Sequence, residues 1–216
     1  MSKVEAFRQH HFEDTTQQHE ASWLGMWVFL ATEVMFFGGM FVCYFVYRHW
    51  YLQAFAAASN HLDIWLGAIN TAVLICSSFT MAMGVYSAET GRVKPLIRYL
   101  LLTIVLGLVF LGIKFFEYHS KFVEYLVPGA SFRFGEASLE RPAEIFFSLY
   151  FAMTGMHAVH MIVGIGLLAA LIWKARLGRF SVAYHTPVEL TGLYWHFVDI
   201  VWIFLFPMLY LIGRHL

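Results

Sequence analysis

The sequence has few charged residues and few cysteines. Only 13% of its 216 residues are Asp, Glu, Lys or Arg, whereas soluble domains carry about 25%. So few charges cannot cover a soluble domain of this length with a polar surface, which argues against an ordinary soluble protein. The formal net charge is zero, so the composition suggests neither a nucleic acid nor a strongly acidic partner.

The two cysteines, Cys43 and Cys76, lie in apolar runs without a CxxC spacing. They are therefore predicted to be small buried hydrophobic residues, and a disulfide framework is not supported. Residues 1–21 are polar and lack the apolar stretch of a secretory signal. We expect this segment to be an N-terminal cytoplasmic extension of a membrane domain that covers residues 22–216.

What the sequence does contain is long apolar runs. Hydrophobic residues make up 60% of the chain, and the mean hydropathy is +0.64. A helix needs about 20 apolar residues to cross a bilayer. The sequence predicts an all-α polytopic membrane protein, a bundle of five transmembrane helices at about residues 22–48, 61–88, 95–118, 142–173 and 184–213.

Positive charge in the short connections predicts the orientation of these helices. Unopposed basic residues occur in the second and fourth connections, which lie on the same side as the N-terminus. Because such loops stay in the cytoplasm, we expect a cytoplasmic N-terminus, and an odd number of spans then places the C-terminus on the opposite side of the membrane. The basic residues are Arg92, Lys94, Arg98, Lys174, Arg176 and Arg179.

Glu33 lies in the middle of the apolar stretch FLATEVMFFGG. It is about ten residues into the first span, so it lies about 15 Å deep, near the midplane of the membrane. A carboxylate there costs about 2.5–3.5 kcal/mol unless it faces protein, water or a headgroup. Glu33 is therefore either functional, as a proton antenna, ion carrier or lipid contact, or a protonated carboxyl that makes one interhelical hydrogen bond.

Other polar residues recur at helical spacing in the last two spans. His157 and His160 are three residues apart, and so are His196 and Asp199, so each pair shares a helix face. Axial ligation of a haem by two of these histidines is one hypothesis. The other is a polar cluster that joins helices, in which His196 and Asp199 pair with each other or with the fourth span. Glu117, His185 and Glu189 lie nearer the helix ends and are candidates for the same interhelical polar cluster.

The sequence offers no set of residues for self-contained catalysis. It contains no nucleophilic triad, no phosphate-binding loop and no ligand pattern for zinc or a diiron site. We therefore predict no catalytic residue and no metal site in this chain. Small residues in the first and fourth spans predict close approach of neighbouring helices: Gly38, Gly39, Gly155, Gly164 and Gly166.

Four stretches together resemble subunit III of the haem–copper oxidases, in the cytochrome c oxidase branch. They are GMWVFLATEVMFFGGMFVCYFVYR, FFEYHSKF, TGMHAVHMIVG and HTPVELTGLYWHFVDIVWIFLF. The resemblance runs from about residue 20 to the C-terminus. It implies the short bacterial form, which has the larger helix bundle of the subunit III fold and lacks the first two helices. With the orientation above, we therefore expect a bacterial inner membrane and a periplasmic C-terminus.

The resemblance also implies a function. Members of the family have no redox centre of their own, bind phospholipids in a cleft and pack against subunit I, while subunits I and II carry the haems and copper. Glu33 matches the buried glutamate of the family, and His157, His160, His196 and Asp199 match its polar pairs. Lys174, Arg176 and Arg179 fall near the region that contacts lipid phosphates, although their spacing differs.

We therefore expect a non-redox accessory subunit of a proton-pumping oxidase that stabilises subunit I, binds lipid and supports proton uptake. Its expected partners are subunit I, subunit II and other oxidase subunits, phospholipids and, as a further candidate, a respiratory supercomplex. Subunit III of a ubiquinol oxidase, or the homologue associated with nitric oxide reductase, is the alternative. A stand-alone proton or cation carrier is a less favoured hypothesis, because the chain shows no internal repeat.

Overall fold

The computed structural model describes residues 12, 14–182 and 184–211, and these residues are largely helical. Five helices are long and apolar enough to cross a membrane, which confirms the all-α polytopic fold class. Within the described ranges the chain contains no β-strand, only one isolated bridge between Ser181 and Tyr184. The helices are α1 Thr15–Trp50, α2 Leu52–Ser59, α3 Ile64–Glu89, α4 Val93–Val123, α5 Glu140–Arg176 and α6 Thr186–Phe206.

Helix α1 contacts the rest of the bundle along a narrow stripe. Asp14 begins the helix as its N-cap, and its side chain accepts a hydrogen bond from the backbone N–H of Gln17 at 2.6 Å. The buried apolar residues Leu30, Phe37 and Tyr44 then follow at intervals of seven, the spacing of a helix seam. The remaining surface of α1 is mostly exposed and apolar, as expected for a helix that faces lipid.

Helices α3 to α6 form the core of the bundle. Trp195 of α6 is fully buried at its centre. Its indole fits against Gly107 of α4 and Gly164 of α5, where an added Cβ would lie 3.0 Å from the ring at either position. Of the glycines predicted to allow close approach, Gly164 does so, whereas Gly38 and Gly166 face open space.

The connections on one side of the bundle are ordered. A short helix that the sequence analysis did not predict, α2, follows α1 directly. The ammonium group of Lys121 donates hydrogen bonds to the carbonyl of His61 at 2.7 Å and to Glu124. Phe132, in the loop between α4 and α5, packs into the core, and the backbone N–H of Gly129 donates to Glu144. This loop therefore covers one end of the bundle.

The last span ends in a π-helical turn, Pro207–Leu211. Proline has no N–H to continue the α-helical pattern. The carbonyls of Met208 and Leu209 accept hydrogen bonds from the hydroxyls of Tyr44, at 2.7 Å, and Ser59, at 2.8 Å. This turn thus joins α6 to α1 and α2. The predicted fifth span extended to residue 213, and positions 212–213 lie outside the described residues, as does most of the predicted segment 1–21.

The prediction that both cysteines are buried is wrong. Cys43 and Cys76 are exposed on the surface of the bundle. Their apolar neighbours identified a membrane helix, but in a bilayer the outward face of such a helix is also apolar. Hydrophobicity alone therefore does not separate a core position from a lipid-facing one.

Candidate functional site

The most complete polar cluster inside the bundle surrounds Lys114. Its ammonium nitrogen lies 2.8 Å from Oε2 of Glu117, 2.9 Å from the hydroxyl of Tyr210 and 3.2 Å from that of Tyr150. The Tyr210 hydroxyl in turn donates to Oε1 of Glu117 at 2.5 Å. All four residues are buried. We call this group the Lys114 cluster.

Aromatic rings complete the surroundings of the Lys114 ammonium group. It lies 5.0 Å from the ring centres of Tyr150 and Trp202, and 5.6 Å from those of Tyr118 and Tyr210. The cation is therefore paired with a carboxylate, hydrogen-bonded and enclosed by rings that attract it. A charge compensated in this way can remain in the membrane, and it connects α4, α5, α6 and the π-helical turn.

The sequence analysis named Glu117 but missed Lys114. The available signal was the Lys-x-x-Glu spacing within an apolar span, since residues three apart on a helix can pair. The sequence analysis predicted that Glu117 belongs to the same interhelical cluster as the histidines. In the structure Glu117 bonds to Lys114 and Tyr210 instead.

Glu33 pairs with His160 across the seam between α1 and α5. Oε2 of Glu33 lies 3.1 Å from Nε2 of His160, and the two side chains retain 18% and 14% of their exposure. The ring of Phe37 packs against the imidazole, and the Tyr194 hydroxyl donates to the carbonyl of His160. Glu33 thus has a partner inside this chain.

The geometry of this pair requires a proton between the two side chains. Nδ1 of His160 lies 2.9 Å from the carbonyl oxygen of Met156. A carbonyl only accepts hydrogen bonds, so Nδ1 carries a hydrogen. The contact between Nε2 and Glu33 then needs one further proton, held either by the carboxyl or by the imidazole. The pair is neutral overall in both cases.

His196 and Asp199 do not pair with each other or with α5, contrary to the prediction. Nδ1 of His196 lies 2.7 Å from the hydroxyl of Ser78 on α3. Neither carboxyl oxygen of Asp199 has a hydrogen-bond partner among the described residues. Asp199 lines a groove between α3 and α6, together with Ser78 and His196.

His157 is separated from the other histidines. It is fully buried, its ring centre lies 5.3 Å from those of Phe110 and Trp202, and neither nitrogen has a hydrogen-bond partner in the described part of the chain. Since His160 contacts Glu33 and His196 contacts Ser78, the structure does not gather the three histidines into one site. Within the described residues, no group of three or more His, Cys, Asp or Glu residues could hold a metal ion.

The remaining predicted residues lie near the ends of the helices. His185 and Glu189 pair within the first turn of α6, with Nε2 3.1 Å from Oε1. Arg176 and Trp173 line an apolar groove of about 560 Å³ between α4 and α5. The basic candidates for headgroup contact, Lys174, Arg176 and Arg179, are all exposed at that end.

Comparison with known proteins establishes the family. Residues 3–214 match the family described as "Cytochrome c oxidase subunit III". This chain belongs to that family. Cytochrome c oxidase subunit 3 of Thermostichus vulcanus is 33% identical over 88% of this chain and 87% of its own length. The probable cytochrome c oxidase subunit 3 of Mycobacterium leprae is 35% identical over the same shares.

A relative that is named as a quinol oxidase subunit is also similar to this chain. The probable quinol oxidase subunit 3 of Staphylococcus haemolyticus is 29% identical over 93% of this chain and 94% of its own length. As a subunit III of the haem–copper oxidase family, the chain is one component of a multi-subunit membrane oxidase. The polar clusters described above therefore belong to one subunit of a larger complex.

Proposed function

We propose that this chain is a non-redox accessory subunit of a proton-pumping cytochrome c oxidase. It stabilises subunit I, binds phospholipid and supports proton uptake, while subunits I and II carry the haems and copper that reduce oxygen to water. The observation that carries this proposal is the Glu33–His160 pair. It is a proton-sharing site near the midplane, placed at a seam and not enclosed in the core.

The position of the pair supports a role toward a neighbour. Helix α1 contacts the bundle through one stripe, and Glu33 lies on that side of the helix with Leu30 and Phe37. A carboxyl needed only for packing is expected to lose its exposure, as Glu117 has done. Glu33 and His160 keep part of theirs, so a lipid headgroup, water or an adjacent subunit can reach the proton they share.

Lipid binding is supported by a second feature at the end of α5. The groove that contains Trp173 and Arg176 is otherwise lined by apolar residues of α4 and α5. An acyl chain fits such a lining, and a guanidinium group at the end of the groove suits a phosphate. Aromatic residues such as Trp173 favour the headgroup level of the membrane. We propose that Arg176, with Lys174 and Arg179 nearby, binds an anionic lipid headgroup.

We further propose that the complex lies in a bacterial inner membrane with the N-terminus of this chain in the cytoplasm. The electron donor proposed is cytochrome c, because relatives that are 33–35% identical are named for that donor. A quinol is the second candidate, supported by the Staphylococcus haemolyticus relative. Oxygen consumption by the purified complex with reduced cytochrome c or with a quinol distinguishes the two donors.

The Glu33→Gln substitution in the intact complex tests the proposed role. Glutamine can still hydrogen-bond to His160 but cannot release a proton. We expect normal assembly and an unchanged optical haem spectrum. Oxygen consumption should decline faster than in the wild type during sustained turnover, or the lipid content should change. Glu33→Ala should have the same effect and remove the hydrogen bond as well.

The matched control is Glu124→Gln, which makes the same chemical change in the loop after α4. It should leave turnover and lipid content as in the wild type. A Glu33→Ala complex without its haem spectrum would contradict the accessory role, because a residue in a colourless subunit should not be needed to hold the haems. Wild-type turnover and lipid content in both Glu33 variants would also count against it.

A further inference from the structure

A groove runs along the outer surface of the bundle between α3 and α6. It consists of two adjoining parts, of about 460 and 350 Å³, which share Ala82 and His196. The first part contains Ser78 and Asp199, and the second is bordered by Glu89 and Glu189. We call the whole feature the α3–α6 groove. It is separate from the seam that holds Glu33 and His160.

Asp199 is the incomplete element of this groove. Its residue surface is 3% exposed, yet neither carboxyl oxygen has a hydrogen-bond partner in the described residues. The polar side chains that share the groove with it are His196 of its own helix and Ser78 of α3, and these two bond to each other. A carboxyl group buried in a membrane without a donor is costly. Ser78 also lies beside Asp199, but its single hydroxyl group already contacts Nδ1 of His196 at 2.7 Å. A donor from outside the described residues would complete the site.

The rim of the groove is apolar and exposed. Ile75 and Phe79 of α3 are 55% and 67% exposed, and Ile200 and Ile203 of α6 are 50% and 45% exposed. Acyl chains can cover these side chains, but they cannot donate a hydrogen bond to Asp199. A helix from another protein can do both, because it offers apolar side chains around a central donor, as interhelical contacts in membranes do.

Negative charge at one end of the groove further restricts the kind of helix that fits it. Glu89 and Glu189 both border the second part, and Glu189 precedes Asp199 by ten residues on one helix. This spacing corresponds to about 15 Å along the axis. The groove therefore carries one acid at its centre and two at its end, of which Glu189 is already paired with His185, and neither part is lined by Lys or Arg. A complementary occupant carries a donor and a basic residue at the same spacing.

We propose that the α3–α6 groove is the docking face for a transmembrane helix of another subunit of the oxidase. That helix places a hydrogen-bond donor against Asp199 and a Lys or Arg side chain near Glu89 and Glu189, about ten residues away. The proposal rests on the accessory role given above, because it requires an assembled complex, but it does not depend on the function of Glu33.

Photo-crosslinking in native membranes tests the docking face. A benzophenone amino acid replaces Phe79 at the rim of the groove. The matched control replaces Phe116 of α4, which is also a strongly exposed phenylalanine but does not line the groove. We expect the Phe79 probe to crosslink to a transmembrane subunit of the same oxidase. Mass spectrometry of the adduct should show a donor and a basic residue at the proposed spacing.

Substitution of Asp199 then tests the hydrogen bond itself. Asp199→Leu should reduce the crosslinking yield at Phe79 by roughly tenfold, since one interhelical hydrogen bond in a membrane corresponds to about that factor. Asp199→Asn keeps an acceptor oxygen and should retain most of the yield. The yield of any adduct at Phe116 should not change in either variant. An equal yield at Phe79 in the wild type and in Asp199→Leu would overturn the assignment.

A further variant covers the case in which Asp199→Leu does not fold. Ile200→Trp adds bulk at a half-exposed position on the rim and should block docking without altering the core. If the complex co-purifies intact but the Phe79 probe reacts only with lipid, the docking proposal is wrong and the accessory role stands. If no haem-bearing subunit co-purifies at all, both proposals fail.

Discussion

The Lys114 cluster and the α3–α6 groove place ionisable side chains within the same bundle in opposite ways. In the cluster, Lys114 and Glu117 bond to each other and to Tyr210 within one chain. In the groove, Asp199 is equally buried but has no donor among the described residues. The cluster connects the chain's own helices, whereas the groove lacks one component. Complete bonding in the core fits a structural role, and an unpaired carboxyl that borders an open groove fits a surface for a partner. His157, whose nitrogens also lack partners among the described residues, is enclosed in the core and lines neither part of the groove.

The Glu33–His160 pair lies between these two extremes. Its members bond to each other, yet both remain partly exposed at the seam. It differs from the Lys114 cluster because the shared proton can be placed on either side chain, whereas Lys114 also has hydroxyl groups and rings that hold its charge. This difference explains why the pair, and not the cluster, carries the proposed role in proton uptake.

Removing one member of the Lys114 cluster should give the largest effect. Glu117→Leu leaves the Lys114 ammonium group buried without its carboxylate. We expect the free energy of unfolding to fall by about 3–5 kcal/mol, the usual cost of breaking a buried ion pair. The double variant Lys114→Met, Glu117→Leu removes both charges and should recover most of that loss. Denaturant titration of the purified protein in mixed micelles measures both changes.

The double variant also provides the test of the interpretation. If it is as unstable as Glu117→Leu alone, the cost does not come from an unpaired charge, and the cluster is not the structural lock described here. If Glu117→Leu is as stable as the wild type, water must reach Lys114. Either result would remove the contrast between the cluster and the groove.

Asp199→Leu should have the opposite effect on stability. It should raise the free energy of unfolding of the subunit after detergent has released it from the complex. The substitution removes a buried carboxyl without a partner, and such a group costs about 1–3 kcal/mol. We therefore expect a higher free energy of unfolding for this variant, of about that size, in the same titration. Asp199→Asn serves as the control, since it keeps a buried polar side chain at this position and should not give the same gain. A loss of stability in Asp199→Leu would mean that the carboxyl already has a donor in the isolated chain.

The fold class could be predicted from sequence because long apolar runs have few alternatives in a membrane. Each run must close its own backbone hydrogen bonds, which makes it a helix. Hydropathy could not predict α2 or the π-helical turn Pro207–Leu211. The short helix has only 8 residues, too few to be recognised as a membrane span. The turn depends on hydroxyl groups from Tyr44 and Ser59 that are distant in sequence.

The contacts of the site were less predictable, because hydropathy does not fix the rotation of a helix that is apolar on every side. Gly164 approaches Trp195 closely, whereas Gly166, two residues later on the same helix, faces open space. His157 and His160 share a helix face, yet only His160 meets Glu33. The Lys114–Glu117 pair could have been predicted from sequence, because residues three apart on a helix can pair. The surroundings of Asp199 were not predictable, because they depend on how α6 packs against α3.

The smallest expected effect concerns an ion pair at the end of α4, between Lys121 and its C-cap residue Glu124. Partial burial alone would raise the pKa of Glu124, but hydrogen bonds from Lys121 and Ser120 outweigh it and lower the pKa of this carboxyl. A carboxyl with a lowered pKa stabilises the fold above the ordinary range for Glu, and this contribution disappears as the pH falls through the lowered pKa. Because the Glu124 side chain is 42% exposed, we expect a contribution below about 1 kcal/mol. Unfolding measured from neutral to acidic pH should show this loss in the wild type but not in Glu124→Gln. Identical pH profiles would mean that Lys121 adds nothing to the free energy of unfolding through Glu124, because water solvates this carboxylate equally well.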